Sequence, residues 1–213
     1  MGVAKRLRAV VAAISIAPLQ AFEPGVPELP EIGIGMIDAH ETVVLVDELD
    51  REVGLAPKLQ AHQRGQLHRA FSVFVLNGRG EVLLQRRAEC KYHSGGLWTN
   101  TACGHPRPGE PVADAARRRL REEMGFDCDL TPAGRFVYRA EVGTLVEHEV
   151  DHVFHGRFEA PPHPDPAEVS EFRWITPAAA LADAQAHPER YTPWFALALA
   201  HFVEHGAPSH VAV

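Results

Sequence analysis

Three short stretches of this chain carry side chains that can move protons, hold metals or grip anions. The first is Thr101-Ala102-Cys103-Gly104-His105-Pro106, where a thiol, a glycine and an imidazole stand in consecutive positions. Beside cationic or metal neighbours a cysteine works as a thiolate, whereas at an apolar strand end it is inert. The second runs from Arg117 to Gly125, where Arg119, Glu122 and Glu123 fall at i, i+3 and i+4 and share one helix edge. Carboxylates there can hold a hard cation such as Mg²⁺, or simply pair with the arginines. The third is Glu147-His148-Glu149-Val150. Side chains alternate along a strand, so Glu147 and Glu149 share a face. Two such carboxylates repel unless solvent or a cation separates them. His62, His68 and His105 supply three imidazoles, and three His with two Glu make a mixed N/O set suited to Zn²⁺ or Mn²⁺.

The elements that must position these groups follow from the pattern. Residues 42–47 are β-branched and predict a strand. Residues 47–54 are acidic and read as a turn, and 58–67 as a polar segment carrying His62. Residues 68–76 and 81–87 flank Asn77-Gly78-Arg79-Gly80, a hairpin signal. Residues 91–96 form a loop. Pro111 is suited to the first turn of a helix and Gly125 to its stop. Further strands are expected at 135–140, 145–158 and 171–175. A proline-rich loop spans 161–166, and helices are expected at 177–186 and 193–205. Strands before and after one central helix predict an α+β fold with a mixed sheet flanked by helices.

Composition narrows the function classes. A formal charge of −7 argues against a general nucleic-acid surface. No apolar run is long enough to cross a bilayer. Cys90, Cys103 and Cys128 are odd in number and widely spaced, which fits a reducing, cytoplasmic compartment better than a disulfide framework. Lys5, Arg6 and Arg8 precede a short apolar run over 9–17, the outline of a signal peptide. The preferred reading is an N-terminal extension and linker over 1–35, with Met36 a plausible start and the working domain at 36–213. A monomer or weak dimer is expected.

Two spacings carry a resemblance. Gly104, five residues, Glu110, seven residues, then Arg118-Arg119-Leu120-Arg121-Glu122-Glu123-Met124-Gly125-Phe126 resembles the Nudix box. That box has a glutamate where this chain has Arg119, which disfavours metal-dependent diphosphate hydrolysis and suits a bidentate grip on phosphate. From Lys58 to Trp194 the chain further resembles the type I isopentenyl-diphosphate isomerases, a Nudix-fold family. Lys58, His62, His68 to Ser72, Arg86-Arg87, Lys91, Trp98 to Pro106, Tyr138 to Ala140, Glu147 to Val150 and Pro193-Trp194 carry this likeness. The resemblance implies a Nudix fold and isopentenyl diphosphate as the small-molecule substrate. It implies that His62, His68, His105, Glu147 and Glu149 hold one Mn²⁺, Zn²⁺ or Mg²⁺, and that Glu123 binds a second ion, Mg²⁺, with the substrate diphosphate. Lys58, Arg87, Lys91 and Arg119 match the diphosphate contacts. Cys103 matches the catalytic thiol, Glu149 the opposing acid/base, Tyr138 a supporting hydroxyl and Trp194 an aromatic wall. Metal and histidine neighbours are expected to favour the Cys103 thiolate. Cys90, Cys128 and the other histidines, His93 among them, are expected to be ordinary surface or structural groups, and Trp98 and Trp174 to lie in the core. The rival readings are a Nudix hydrolase of a nucleoside diphosphate derivative and a metal- or ligand-sensing module without turnover.

Overall fold

The computed structural model describes residues 41–91 and 93–206. The expectations for residues 1–35, for Met36 and for His40 and His210 lie outside the described residues. Among the described residues, nine strands and four α-helices run in the order β1 (Thr42–Val46), β2 (Glu52–Pro57), α1 (Lys58–Arg64), β3 (His68–Leu76), β4 (Val82–Arg87), β5 (Trp98–Thr99), β6 (Ala102–Gly104), α2 (Val112–Met124), β7 (Thr131–Val142), β8 (Leu145–Arg157), β9 (Val169–Ile175), α3 (Pro177–Ala186) and α4 (Phe195–His205). A 3₁₀ turn, Pro188–Arg190, links α3 to α4.

The strand β3 is the axis of the sheet. It pairs antiparallel with β1, β4 and β6, and parallel with β8. The sheet is therefore mixed, as the alternation of strands and helices predicts. Its register does the positioning. His68 lies opposite Glu149 across β3–β8, and Tyr138 lies opposite Glu149 across β7–β8. His68, Glu149 and Tyr138 are thus neighbours on three adjacent strands. Cys103 stands opposite Ser72 on β3.

The core lies on both sides of this sheet. Phe74, Leu76, Leu84 and Val153 pack against Phe195, Leu199 and Phe202 of α4. Phe71, Val73, Val75 and Leu83 pack against Ala116, Leu120 and Met124 of α2. Burying each large apolar side chain contributes about 1.5–3 kcal/mol relative to leaving it in water. In α2 the buried set Ala115, Ala116, Leu120, Glu123 and Met124 repeats with a helical period, so Glu123 is carried inward on the apolar face. The helix ends at Gly125, whose φ of 72° is left-handed and whose N–H donates to Arg121 O.

Several expectations need correction. The acidic stretch 47–54 is a turn only as far as Arg51, because β2 begins at Glu52 and pairs antiparallel with β1. It is an edge strand with Val53 and Leu55 exposed, so it lacks the buried-face signal of a strand. The polar segment after it contains the helix α1, which buries only Ala61 and His62. Pro111 is the N-cap of α2 and lies just outside its first turn. β7 extends past 135–140 in both directions, with an irregularity between Pro132 and Arg135.

Candidate active site

The metal-type residues predicted from scattered positions converge at the end of β3 and β8. His62 arrives on α1, His68 and Glu149 on paired strands, Glu147 two residues before Glu149, and His105 just past β6. One ligand atom each from His62, His68, His105 and Glu149 lies within 4.8 Å of the others. His62, His68 and Glu147 are fully or almost fully buried.

The tautomers of two imidazoles are fixed by their backbone partners. His62 Nδ1 lies 2.6 Å from Lys58 O, and His68 Nδ1 lies 2.8 Å from Gln66 O. A carbonyl only accepts, so both Nδ1 atoms donate. Each Nε2 then presents a lone pair inward, His62 Nε2 at 3.1 Å from Glu147 Oε2 and His68 Nε2 at 3.5 Å from Glu149 Oε1. His68 Nε2 is buried without a hydrogen-bond donor. Lone pairs facing carboxylate oxygens in a buried site repel unless a cation stands between them. Donated Nδ1–H groups that fix the ring are the usual support of metal-bound histidine. The donor set therefore fits a divalent cation.

Tyr138, expected as a supporting hydroxyl, adjoins this cluster. Tyr138 Oη donates to Glu149 Oε2 at 2.6 Å, and His105 Nε2 lies 3.0 Å from Glu149 Oε1. Burial opposes the ionised form of Glu149, but the neighbouring imidazoles of His105 and His68 hold its carboxyl well below the usual range. Burial lowers His105 to about 3, so its imidazole is neutral. Burial, then the Glu149 charge, raises the Glu147 carboxyl. Burial disfavours the His62 imidazolium, yet the hydrogen bond and charge of Glu147 outweigh it and raise that imidazole. Burial and then Glu149 push the Tyr138 hydroxyl well above its ordinary value.

Cys103 lies beside this cluster. Burial, then the charge of Glu123, pushes its thiol up to about 12, and Arg87 only partly offsets this. The side chains alone hold a neutral thiol here. Its sulfur faces Arg87 Nη1 at 3.9 Å. Both Cys103 and Glu149 line one cavity of about 480 Å³, together with Arg87, Lys91, Arg119 and Trp194. Trp194 is almost fully buried, donates from Nε1 to Asn100 Oδ1 at 3.3 Å, and faces the Arg87 guanidinium 5.8 Å from its ring centre.

The predicted basic residues also gather at this cavity, each with an acidic or backbone partner. Lys58 Nζ pairs with Glu41 at 2.7 Å. Lys91 Nζ and Arg119 Nη2 converge on Glu168 Oε2 at 2.7 and 2.9 Å. Arg119 also reaches Glu123 at 2.9 Å and Glu122 at 2.8 Å, and Glu123 accepts from Gln85 Nε2. Arg87 Nη2 donates to His93 O at 3.5 Å.

Against this geometry stand the comparisons with known proteins. Residues 66–195 match the NUDIX domain family. An isopentenyl-diphosphate Delta-isomerase 2 from Aromatoleum aromaticum is 53% identical over 161 residues, covering 75% of this chain and 85% of that protein. An isopentenyl-diphosphate Delta-isomerase from Burkholderia multivorans is 52% identical over 157 residues, covering 73% of this chain and 89% of that protein. The chain belongs to the isopentenyl-diphosphate Delta-isomerase family of Nudix proteins. Solved structures bear out the Nudix fold. A Deinococcus radiodurans protein superposes with a TM-score of 0.63 at 23% identity, covering 75% of this chain and 97% of its own. The MutT protein from Methanosarcina mazei gives 0.54 at 22%, covering 65% and 94%.

Within this isomerase family the departure at Arg119 has a structural counterpart. The remaining glutamates of the box are already engaged. Arg118 pairs with Glu110 at 2.8 Å and Glu122 at 3.2 Å, while Arg119 bridges Glu122, Glu123 and Glu168. Residues that the sequence reading missed complete the site. His93 was expected at the surface or in a structural role, but its Nε2 lies 3.3 Å from Glu147 Oε1, its ring is edge-on to Trp194, and with His62 and Glu147 it forms a second cluster. Its place between Lys91 and Gly95-Gly96 was the available signal. Glu168 and Glu41 gave none, since each lies in a stretch without a motif. Trp98 and Trp174 pack against the two cores, and Cys90 and Cys128 stand outside the cavity lining.

Proposed function

We propose that this chain converts isopentenyl diphosphate to dimethylallyl diphosphate by moving the double bond one position. The observation that carries the reading is the shared cavity of Cys103, Glu149, Trp194 and the cationic residues Arg87, Lys91 and Arg119. The reaction adds a proton to an unactivated alkene carbon and removes another from the carbon two positions away, with a tertiary cation between. Glu149 first takes up a proton and then delivers it to the alkene, with Tyr138, at 2.6 Å from Glu149 Oε2, as the relay. Cys103, as the thiolate, takes up the second. Trp194, whose ring already faces the Arg87 cation, stabilises the intermediate charge without attacking it. Arg87, Lys91, Arg119 and Lys58 bind the diphosphate and keep it from leaving as the cation forms.

His62, His68, His105, Glu147 and Glu149 would hold one divalent cation (Mn²⁺, Zn²⁺ or Mg²⁺), and Glu123 an Mg²⁺ arriving with the diphosphate. Such ions supply positive charge that neutralises the carboxylates and lowers the energy of a thiolate at Cys103. The free cysteines support a cytoplasmic setting. The reading takes residues 36–213 as the isomerase domain, 1–35 as an extension, and the working form as a monomer or weak dimer.

The test is direct. Metal-loaded protein is given isopentenyl diphosphate and followed by proton NMR. Appearance of dimethylallyl diphosphate is expected. No isomer, together with nucleoside monophosphate release from nucleoside diphosphate sugars, would establish the hydrolase reading instead.

A further inference from the structure

Glu168 is a carboxylate placed where the cavity is meant to receive an anion. Its Oε2 accepts from Lys91 Nζ at 2.7 Å and Arg119 Nη2 at 2.9 Å, two cations that come from separate elements, the loop after β4 and the helix α2. All three side chains are largely withdrawn from solvent, at 16%, 18% and 22% exposure for Lys91, Arg119 and Glu168. Screening by water is therefore weak, and two cations converging without a counterion would repel. The carboxylate is not held by its side chain alone. Glu168 O accepts from Ala88 N at 2.9 Å, and Glu168 N donates to Asp165 O at 2.9 Å. This ties the segment before β9 to the end of β4, so Glu168 is presented to Lys91 and Arg119 by the backbone.

Charge balance gives this arrangement a consequence. Around the Arg119 corner, Arg87, Lys91 and Arg119 face Glu123 and Glu168, so three cations meet two carboxylates and one positive charge remains. The complete lining repeats the balance, with six Lys and Arg against five Glu. A bare diphosphate carries several negative charges and meets a nearly neutral wall. Bound to Mg²⁺ it carries two fewer.

We propose that Glu168 is a positioning and selectivity residue, a place-holder for the diphosphate that keeps Lys91 and Arg119 together in the empty cavity and makes the cavity take the Mg²⁺ complex in preference to the bare anion. The proposal rests on the reading of this cavity as a diphosphate site. On binding, the phosphate oxygens replace Glu168 Oε2 as acceptors for Lys91 and Arg119, and the released carboxylate stands beside a ligand whose charge the cation has reduced. Without the cation, the same carboxylate repels the ligand.

The experiment is calorimetric titration of metal-loaded protein with inorganic pyrophosphate, with and without added Mg²⁺. The unmodified protein is expected to bind the Mg²⁺ complex at least about 100-fold more tightly than bare pyrophosphate. Glu168→Gln keeps the backbone bonds and removes the charge. It is expected to bind bare pyrophosphate at least about tenfold more tightly than the unmodified protein, with the Mg²⁺ preference reduced accordingly. Glu168→Ala moves the same way, and Glu168→Asp retains the preference. In turnover, Glu168→Gln lowers the Mg²⁺ concentration needed for half-maximal rate, a shift that a purely structural lesion does not produce. Unchanged or weaker binding of bare pyrophosphate by both charge-removing variants overturns the role of Glu168 and leaves the cavity assignment standing. Failure of the unmodified protein to bind pyrophosphate even with Mg²⁺ overturns both.

Discussion

Gly125 closes the helix that carries Arg119 and Glu123, and Gly125→Ala should cost far more than the same change at Gly109. Both glycines have left-handed backbone, with φ of 72° and 75°. An alanine in that region costs about 1–2 kcal/mol wherever it occurs. At Gly109 a Cβ meets nothing within 4 Å, so that is the whole cost. At Gly125 the Cβ would overlap His163 O, a backbone atom. The carbonyl must retreat by more than about 1 Å to restore an ordinary contact. Its segment is anchored to α2 by His163 N donating to Met124 O at 3.1 Å and Asp165 N donating to Glu123 O at 3.0 Å. Losing these adds about 1 kcal/mol each, for a total of about 3–4 kcal/mol. In a domain of this size, 1 kcal/mol corresponds to about 2–4 °C. Gly125→Ala should thus lower the Tm by about 6–16 °C, and Gly109→Ala by about 2–8 °C. Differential scanning calorimetry of the two variants side by side reads the difference. Because the displaced segment leads to Glu168, Gly125→Ala should also raise the KM for isopentenyl diphosphate. Equal melting temperatures would refute the steric argument.

Other expectations follow from the same geometry. Cys103→Ala should abolish turnover, by at least about 10³-fold, with circular dichroism and metal content unchanged, since the thiol stands outside the His/Glu cluster. Near-normal activity would remove it from the mechanism. Glu149→Gln should also abolish turnover and should weaken metal binding about 10–100-fold, read by metal analysis after dialysis. Stability should fall on acidification. Burial lowers the imidazoles of His152, His155 and His201. The unfolded chain takes up these protons first, so their contribution is complete above about pH 6.5 and is lost as the pH falls through the lowered folded values. Calorimetry from pH 7.5 to 5 should show a falling Tm, with a shallower slope when all three are changed to Gln. A Tm that rises towards pH 5 would contradict this.

How much of the molecule was legible follows from where its signals lie. The hairpin of β3 and β4, the helix α2 up to Gly125 and the helix α3 were readable because local chemistry fixes them. Asn77 and the glycines make the turn, Gly125 the stop, and Pro177 with Thr176 the start, where Thr176 Oγ1 accepts from Ala179 N. β2 was not readable because an edge strand that leaves Val53 and Leu55 in solvent owes its existence to pairing with β1. α1 was not readable because seven residues, five of them polar, with two buried positions have no apolar stripe. The residue types of the site were legible through a family likeness, and the register of β3, β7 and β8 supplies the geometry behind it. His93 and Glu168 escaped because they act on the site through contacts made across the fold, at Glu147 and at Lys91 with Arg119. The ionisation of Cys103 also depends on burial, which no local pattern displays.

The central claim is that a proton is added at one end of the alkene and another removed across the cavity, with Glu149 and Tyr138 on one side of the exchange and Cys103 on the other. Turnover of isopentenyl diphosphate in D₂O by the metal-loaded protein tests it most directly. The account predicts dimethylallyl diphosphate carrying solvent deuterium in the newly formed methyl group. Unlabelled product formed at the same rate would contradict it.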